Sequence, residues 1–161
     1  MAMKAQFKTL FDYHWHTTSR LMACASQLNQ VDYQEKPGYG HGSIHDLLFH
    51  LLRTDWSWRL ALQTGKQVSP IRPEDYPTLE SLKTGFDQEQ AAWQVLLEPL
   101  SEAEIDGSMQ LTSWRGDVFT MFRWRILQHL ILHGMQHQAE LAQLLTAKGQ
   151  SPGDIDFIFF D

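Results

Sequence analysis

The chain has 161 residues, of which 43% are apolar and 20% are charged, and its formal net charge is −6. This composition is that of a globular protein with enough apolar side chains to bury a core, and it excludes an intrinsically disordered chain. The acidic charge also argues against binding to nucleic acid or to an anionic membrane surface, because both attract basic proteins.

The first two predicted elements are amphipathic helices separated by a glycine-rich break. Apolar residues recur at steps of three and four over about residues 7–28, which predicts a helix of about six turns. Glycines then interrupt the chain between residues 38 and 42. Ser43, with Asp46 three positions later, forms a capping-box pattern and predicts a second helix that runs toward Gln63 and ends at Gly65.

The second half of the chain is predicted to contain two further helices and a hairpin. Residues 69–77 carry three prolines and are predicted to be a loop. Thr78 is the expected N-cap of a third helix that continues to about Leu100. Short extended segments at 109–112 and 118–120 flank a turn, and the last helix is expected over about 121–148, before Gly149. The apolar tail 157–160 should pack against the core.

Together these elements predict an all-α fold, a four-helix bundle with a short β-hairpin before the last helix. The connections 30–42 and 101–119 are longer than a simple up-down bundle needs, so at least one crossover or excursion is expected. No repeat or linker divides the chain, and we therefore expect one domain over residues 1–161.

The sequence also favours a cytoplasmic location. No apolar stretch approaches the roughly 20 residues that span a bilayer, and the first residues lack the apolar segment of a secretory signal. The single cysteine, Cys24, cannot form an internal disulfide, which agrees with a reducing compartment.

Eight histidines make metal binding the first chemistry to consider. His133 and His137 are one helical turn apart and only ~40° apart around the axis, so both can offer a ring nitrogen to one ion. His129 lies a further turn back and is expected outside the direct coordination shell. A third ligand must come from elsewhere, and spacing leaves several candidates open with a modest lead for His50: His14, His16, His41, His45 and His50.

Several short motifs follow one another along the chain: Gly42-Ser43-Ile44, Leu48-Phe49-His50-Leu51, Trp58, His129, His133-x3-His137-Gln138, Leu141, Leu145, Ser151-Pro152 and Asp156. Their order and separation resemble those of the DinB/YfiT-like family of bacterial metal-binding four-helix bundles. The resemblance covers nearly the whole chain. One departure is the stretch from His137 to Glu140, which reads His-Gln-Ala-Glu where family members often have His-Arg-Gly-Gln.

The resemblance implies one divalent ion, nickel or zinc, bound by His50, His133 and His137, and it implies a homodimer. Three protein ligands leave a coordination position open for water or for a small-molecule substrate, as in catalytic metal sites. The candidates for side chains that support the ligands or act as a base are His129, Asp46 and Glu140.

The enzymatic activity that the resemblance implies is a transferase or isomerase reaction that depends on a low-molecular-weight thiol. Two alternatives remain at this point, a metal-dependent hydrolase and a non-catalytic metal-binding protein of the stress response or of dimer assembly. A ferritin-like di-iron enzyme is excluded, because its Glu-x-x-His pairs do not occur in the sequence.

Overall fold

The computed structural model describes residues 2–38, 40–68 and 71–160, and within them it is mostly helical with one small hairpin. This confirms the predicted four-helix bundle, to which two short helices are added. The elements are α1 (Met3–Ala25), α2 (Gln30–Gln34), α3 (Ile44–Thr64), α4 (Leu79–Leu97), α5 (Glu102–Asp106), β1 (Ser108–Thr112), β2 (Val118–Phe122) and α6 (Arg123–Ala147).

The first helix ends three residues earlier than the periodicity predicts. Ser26 closes α1, and its backbone N–H donates to the carbonyl of Met22 at 3.0 Å. Asn29 then starts α2, because its side-chain oxygen accepts from the backbone N–H of Asp32 at 2.9 Å. The apolar period continues to Leu28 although the helix does not.

Helix α3 begins and ends where the sequence predicts. The Ser43 side chain accepts from the backbone N–H of Asp46 at 3.1 Å, and the Asp46 carboxylate accepts from the backbone N–H of Ser43 at 3.0 Å. Gly65 ends the helix in the left-handed conformation, with φ 71°. These two ends fix the position of His50 on the second turn of the helix.

The connections after α3 are partly structured. Ser69 and Pro70, in the predicted 69–77 loop, lie outside the described residues, and the described part of that loop contains a 3₁₀ turn, Pro73–Asp75. Thr78 caps α4 as predicted, but the helix ends at Leu97, before Pro99 rather than at Leu100. Ser101 then starts the unpredicted α5.

The hairpin is longer than predicted and displaces the start of the last helix. Strands β1 and β2 pair antiparallel from Ser108 opposite Phe122 to Thr112 opposite Val118. Since β2 continues to Phe122, α6 begins at Arg123 rather than near residue 121. Among the described residues, none of the helices has the length and apolar character required to cross a membrane.

The core lies between the four long helices, with α6 against α1 and α3, and α4 against α1 and α3. An ion pair inside this packing joins α3 to α4. The Arg59 guanidinium group donates two hydrogen bonds to the Glu89 carboxylate, at 2.5 and 2.9 Å. The Glu89 side chain is only 3% exposed. Fully buried core side chains include Leu21, Leu48, Leu51, Leu82, Trp93, Leu127 and Leu141.

Candidate metal centre

Helices α3 and α6 bring two of the predicted ligands into direct contact. The Nε2 atom of His50 lies 3.1 Å from the Nε2 atom of His133. Two ring nitrogens bound to one zinc ion at 2.0–2.1 Å, with a bond angle between about 90° (octahedral) and about 109° (tetrahedral), lie about 2.8 to 3.4 Å apart. The observed separation therefore matches that of two ligands of one ion.

The third predicted ligand, His137, is buried and held by a carboxylate. Its ring centroid lies 4.4 Å from that of His133 and 4.7 Å from that of His50. The Nδ1 atom of His137 lies 3.0 Å from the Glu140 carboxylate, one turn along α6. A proton on Nδ1 that is donated to Glu140 leaves the lone pair of Nε2 free for a metal ion, an arrangement common in metal sites.

The imidazoles of His50 and His133 are held in the neutral form. Burial, followed by the neighbouring His137 and His41, lowers the pKa of His50 to about 4. The pKa of His133 falls to about 3, again chiefly because of burial, with His137 and His50 adding to the effect. At neutral pH both side chains are therefore uncharged, which is the form that binds metal ions.

Glu140 is charged at this site. Burial acts to raise its pKa, but the hydrogen bond from His137 and the other polar contacts outweigh burial and lower the pKa overall. The side chain remains 36% exposed. Of the three residues predicted to support the ligands, Glu140 therefore contacts one of them directly.

The other two supporting candidates have different surroundings. His129 is exposed on α6, with its ring 5.6 Å from that of His133 and 5.6 Å from that of Trp58. The part of the His129 side chain that is buried lowers the pKa of this residue. Asp46 lies at the first turn of α3, where its carboxylate caps the helix and lies 3.7 Å from Lys36.

A fourth histidine, His41, joins the cluster from the loop before α3. Its ring is stacked on His50, with centroids 4.3 Å apart, and meets His137 edge-on at 4.5 Å. One nitrogen from each of His41, His50 and His137 lies within 4.8 Å of the others. Spacing left His41 open as a third ligand, but no helical period pointed to it because it lies in a loop.

The three remaining histidine candidates have other partners. His14 is buried between Asp55, 3.0 Å from its Nε2 atom, and the Gln138 amide, 3.2 Å from its Nδ1 atom. The Nδ1 atom of His45 lies 3.0 Å from the Tyr33 hydroxyl. His16 is exposed on α1, with its ring 5.4 Å from that of Phe160.

The cluster therefore offers neutral ring nitrogens at a half-buried site. The donor set suits a borderline-soft divalent ion such as nickel or zinc better than magnesium or calcium, which prefer oxygen ligands. Arg53 adds a fixed positive charge at the edge of the cluster, 3.5 Å from the Nδ1 atom of His50.

Comparisons with known proteins agree with this architecture. A family model described as the DinB family matches residues 1–161. The chain is 26% identical over 148 residues to YizA of Bacillus subtilis (strain 168), which is described as uncharacterized, and the match covers 92% of this chain and 91% of YizA. A crystal structure of the DinB-like protein YjoA from Bacillus subtilis is similar in fold, with a TM-score of 0.62 at 17% identity, and covers 88% of this chain and 93% of YjoA.

Proposed function

The chain belongs to the DinB family, and from this premise we propose that it binds one nickel or zinc ion on His50, His133 and His137 for thiol-dependent transfer or isomerisation. The observation that carries the proposal is the 3.1 Å approach of the His50 and His133 Nε2 atoms, with His137 beside them. An ion held by neutral imidazoles keeps its full positive charge and would lower the pKa of a bound thiol, so that thiolate forms near neutral pH.

The protein's own residues would orient the ligands and limit access to them. Glu140 accepts from Nδ1 of His137 and so restrains the ring, which leaves Nε2 free to bind the ion. Burial of His137, which is 2% exposed, keeps water from one side of the cluster. The exposed Arg53 is placed to attract an anionic group on a thiol or its acceptor.

Activation of a thiol at this site requires a smaller shift of the nucleophile's pKa than activation of water does. A free thiol has a pKa near 8.5 and needs only a modest shift to ionise at neutral pH, whereas water needs a far larger one. The carboxylate nearest the cluster, Glu140, already accepts from His137 and is less available as a base. Hydrolysis is therefore the second candidate, and a metal-binding role without turnover is the third.

The proposal is tested first by metal titration of the metal-free protein. We expect one equivalent of Zn²⁺ or Ni²⁺ to bind, and we expect His137→Gln to weaken binding by at least about 100-fold, more than loss of a supporting contact does. The matched control is His16→Gln, an exposed histidine outside the cluster, which should bind like the wild type. Full-strength binding by His137→Gln would refute the site.

The activity is tested separately, with the metal-loaded protein and a panel of low-molecular-weight thiols and electrophiles. Conversion of an electrophile that depends on the thiol, the metal and His137 supports the proposed activity. A transferase consumes the thiol, whereas an isomerase releases it unchanged. Ester or amide cleavage without a thiol would instead support the hydrolase. Metal binding with neither reaction would support the non-catalytic alternative.

We also propose a homodimer and a cytoplasmic location. The dimer is supported by the family resemblance, and the location by the single cysteine, Cys24. Sedimentation equilibrium should give twice the 18.7 kDa mass of the chain, and a monomer mass at micromolar concentration would contradict the dimer. Cell fractionation tests the location.

A further inference from the structure

The cluster contains more imidazoles than the proposed site requires. The group whose nitrogens lie within 4.8 Å of one another is His41, His50 and His137, and it includes a residue from outside the helices. His41 is stacked on His50 with an interplanar angle of 20° and meets His137 at 87°. Its ring therefore borders the same space as the two helical ligands.

We infer that His41 is a fourth ligand of the metal site, and that an exogenous thiol or other small ligand binds in competition with it. The inference rests on the proposed metal site and deepens it by naming the position that such a ligand takes. With His41 bound, the site has four imidazoles, and with His41 released it has three and an open position.

The contacts of His41 indicate that it is the weakest of the four. Glu140 fixes the ring of His137, whereas the structure gives the His41 ring no hydrogen bond among the described residues. His41 is also exposed, while His50 and His133 are half-buried. A side chain held mainly by ring stacking loses less on leaving the site than one that is buried and hydrogen-bonded.

The backbone on each side of His41 has a conformation that favours glycine. Gly40 and Gly42 have φ of 64° and 103°, values that other residues rarely adopt. A Cβ at Gly42 would lie 2.5 Å from the Asp46 carboxylate, so the α3 cap fixes this side of the loop. Among the described residues, a Cβ at Gly40 would meet nothing within 4 Å.

A cavity next to His41 provides room for a competing ligand. It has a volume of about 250 Å³ and is lined by both His41 and Glu140, with Leu47 and Leu144 forming apolar walls. It therefore reaches the cluster at the residue that we infer to be displaced. Its mixed lining suits a small molecule with a polar end and an apolar body.

The test uses the full-length protein, with Co²⁺ as a spectroscopic probe and Zn²⁺ for affinity. His41→Gly is the informative variant, because an exposed loop position that already adjoins two glycines tolerates the change. We expect Zn²⁺ binding to weaken by about 10- to 100-fold, which is less than for His137→Gln because His41 is the weakest of the four ligands. The visible spectrum of bound Co²⁺ should change, and added free imidazole should restore the wild-type spectrum.

Competition is measured with 2-mercaptoethanol and the Co²⁺-loaded proteins. We expect the thiol to bind His41→Gly at a lower concentration than the wild type, because it no longer displaces an imidazole. His16→Gln is the matched control and should match the wild type in all three measurements.

The outcomes separate this inference from the proposed function. If His41→Gly keeps wild-type affinity and spectrum while His137→Gln loses the metal, His41 is not a ligand and the three-histidine site stands. If the wild type binds neither Zn²⁺ nor Co²⁺, both proposals are overturned. Restoration of the wild-type Co²⁺ spectrum by imidazole in His41→Gly supports His41 as a ligand.

Discussion

His50 and His133 are 83 positions apart in the chain, yet their Nε2 atoms lie 3.1 Å apart across the interface between α3 and α6. The pair exists only when these two helices are packed together. Binding of the proposed metal ion would therefore depend on bundle packing, and changes that alter the interface should affect the site even without touching a histidine.

The contact between Glu140 and His137 predicts that Glu140 affects the metal affinity although it is not a proposed ligand. Glu140→Ala removes the acceptor that fixes the ring, and we expect Zn²⁺ affinity to fall by about 10- to 100-fold. Glu140→Gln keeps an oxygen that can accept from Nδ1, so its loss should be smaller. Isothermal titration calorimetry of the wild type, Glu140→Ala and Glu140→Gln measures the order of their Zn²⁺ affinities.

The control for this series is Glu80→Ala, which removes a carboxylate that is 83% exposed at the start of α4. It should leave Zn²⁺ affinity unchanged. Equal affinities for wild type, Glu140→Ala and Glu80→Ala would show that Glu140 does not orient His137.

The close packing of α1 against α6 is predicted to require a glycine at Gly134. A Cβ at this position would lie 2.5 Å from the Nδ1 atom of His14, and that ring is 2% exposed. Asp55 and Gln138 hold the ring on both sides, so it has little room to move. Gly134→Ala should therefore lower the free energy of unfolding, although alanine favours a helix by about 1 kcal/mol.

The expected net loss for Gly134→Ala is about 1–3 kcal/mol, the usual cost of overpacking a core. Urea unfolding of the metal-free protein measures it, with Gln136→Ala on the exposed face of the same helix as the control. A gain in stability would mean that His14 can relax away from the added methyl group.

The buried ion pair between α3 and α4 predicts a large loss of stability when one partner is removed. Arg59→Met leaves the Glu89 carboxylate buried without its partner, and the expected loss is about 3–5 kcal/mol. The double variant Arg59→Met/Glu89→Leu removes both charges and should recover most of that loss. Chemical denaturation at pH 7 compares them, and similar losses in both variants would contradict this account.

The same ion pair predicts a pH dependence with a definite sign. Burial raises the pKa of Glu89 even though Arg59 opposes the shift. Without Arg59 the pKa should rise further, so the folded protein binds a proton at a higher pH than the unfolded chain does. Relative to the wild type, the stability of Arg59→Met should then increase as the pH is lowered from 7 toward 5, by up to about 1.4 kcal/mol per pH unit.

Histidines with lowered pKa values make the protein less stable as the pH is lowered, because the unfolded chain binds protons that the folded protein does not. The measurement is therefore the difference between Arg59→Met and wild type at each pH, in the absence of metal. A difference that stays constant from pH 7 to pH 5 would show that Glu89 remains ionised in the variant.

The starts of the helices could be predicted from sequence where their caps are local. Ser43 and Asp46 are three positions apart, and their reciprocal hydrogen bonds need no other part of the chain. The one-turn helices α2 and α5 also have local caps, at Asn29 and Ser101, but a cap alone does not predict a helix that short, because an isolated turn of helix is unstable. They depend on tertiary burial of Tyr33, 4% exposed, and Ile105, 1% exposed.

The histidines that the structure brings together could be predicted from the sequence only in part. The i, i+4 spacing identifies His133 and His137, since a helix places residues four apart on one side. Spacing could not choose among the histidines on other elements, and His50 was selected by the family resemblance. The position of His41 depends on positive φ angles at Gly40 and Gly42, and no periodic pattern encodes these.

The C-terminal segment is attached to α1 through main-chain carbonyl groups. Arg20 donates to the carbonyl oxygens of Pro152 and of Asp154, the latter at 2.9 Å, and the Tyr13 hydroxyl donates to that of Ile155. Every amino acid has a carbonyl oxygen, so these bonds do not depend on the side chains of the segment. Mutations at 154 and 155 should therefore accumulate freely during evolution, whereas Arg20 and Tyr13 should be retained.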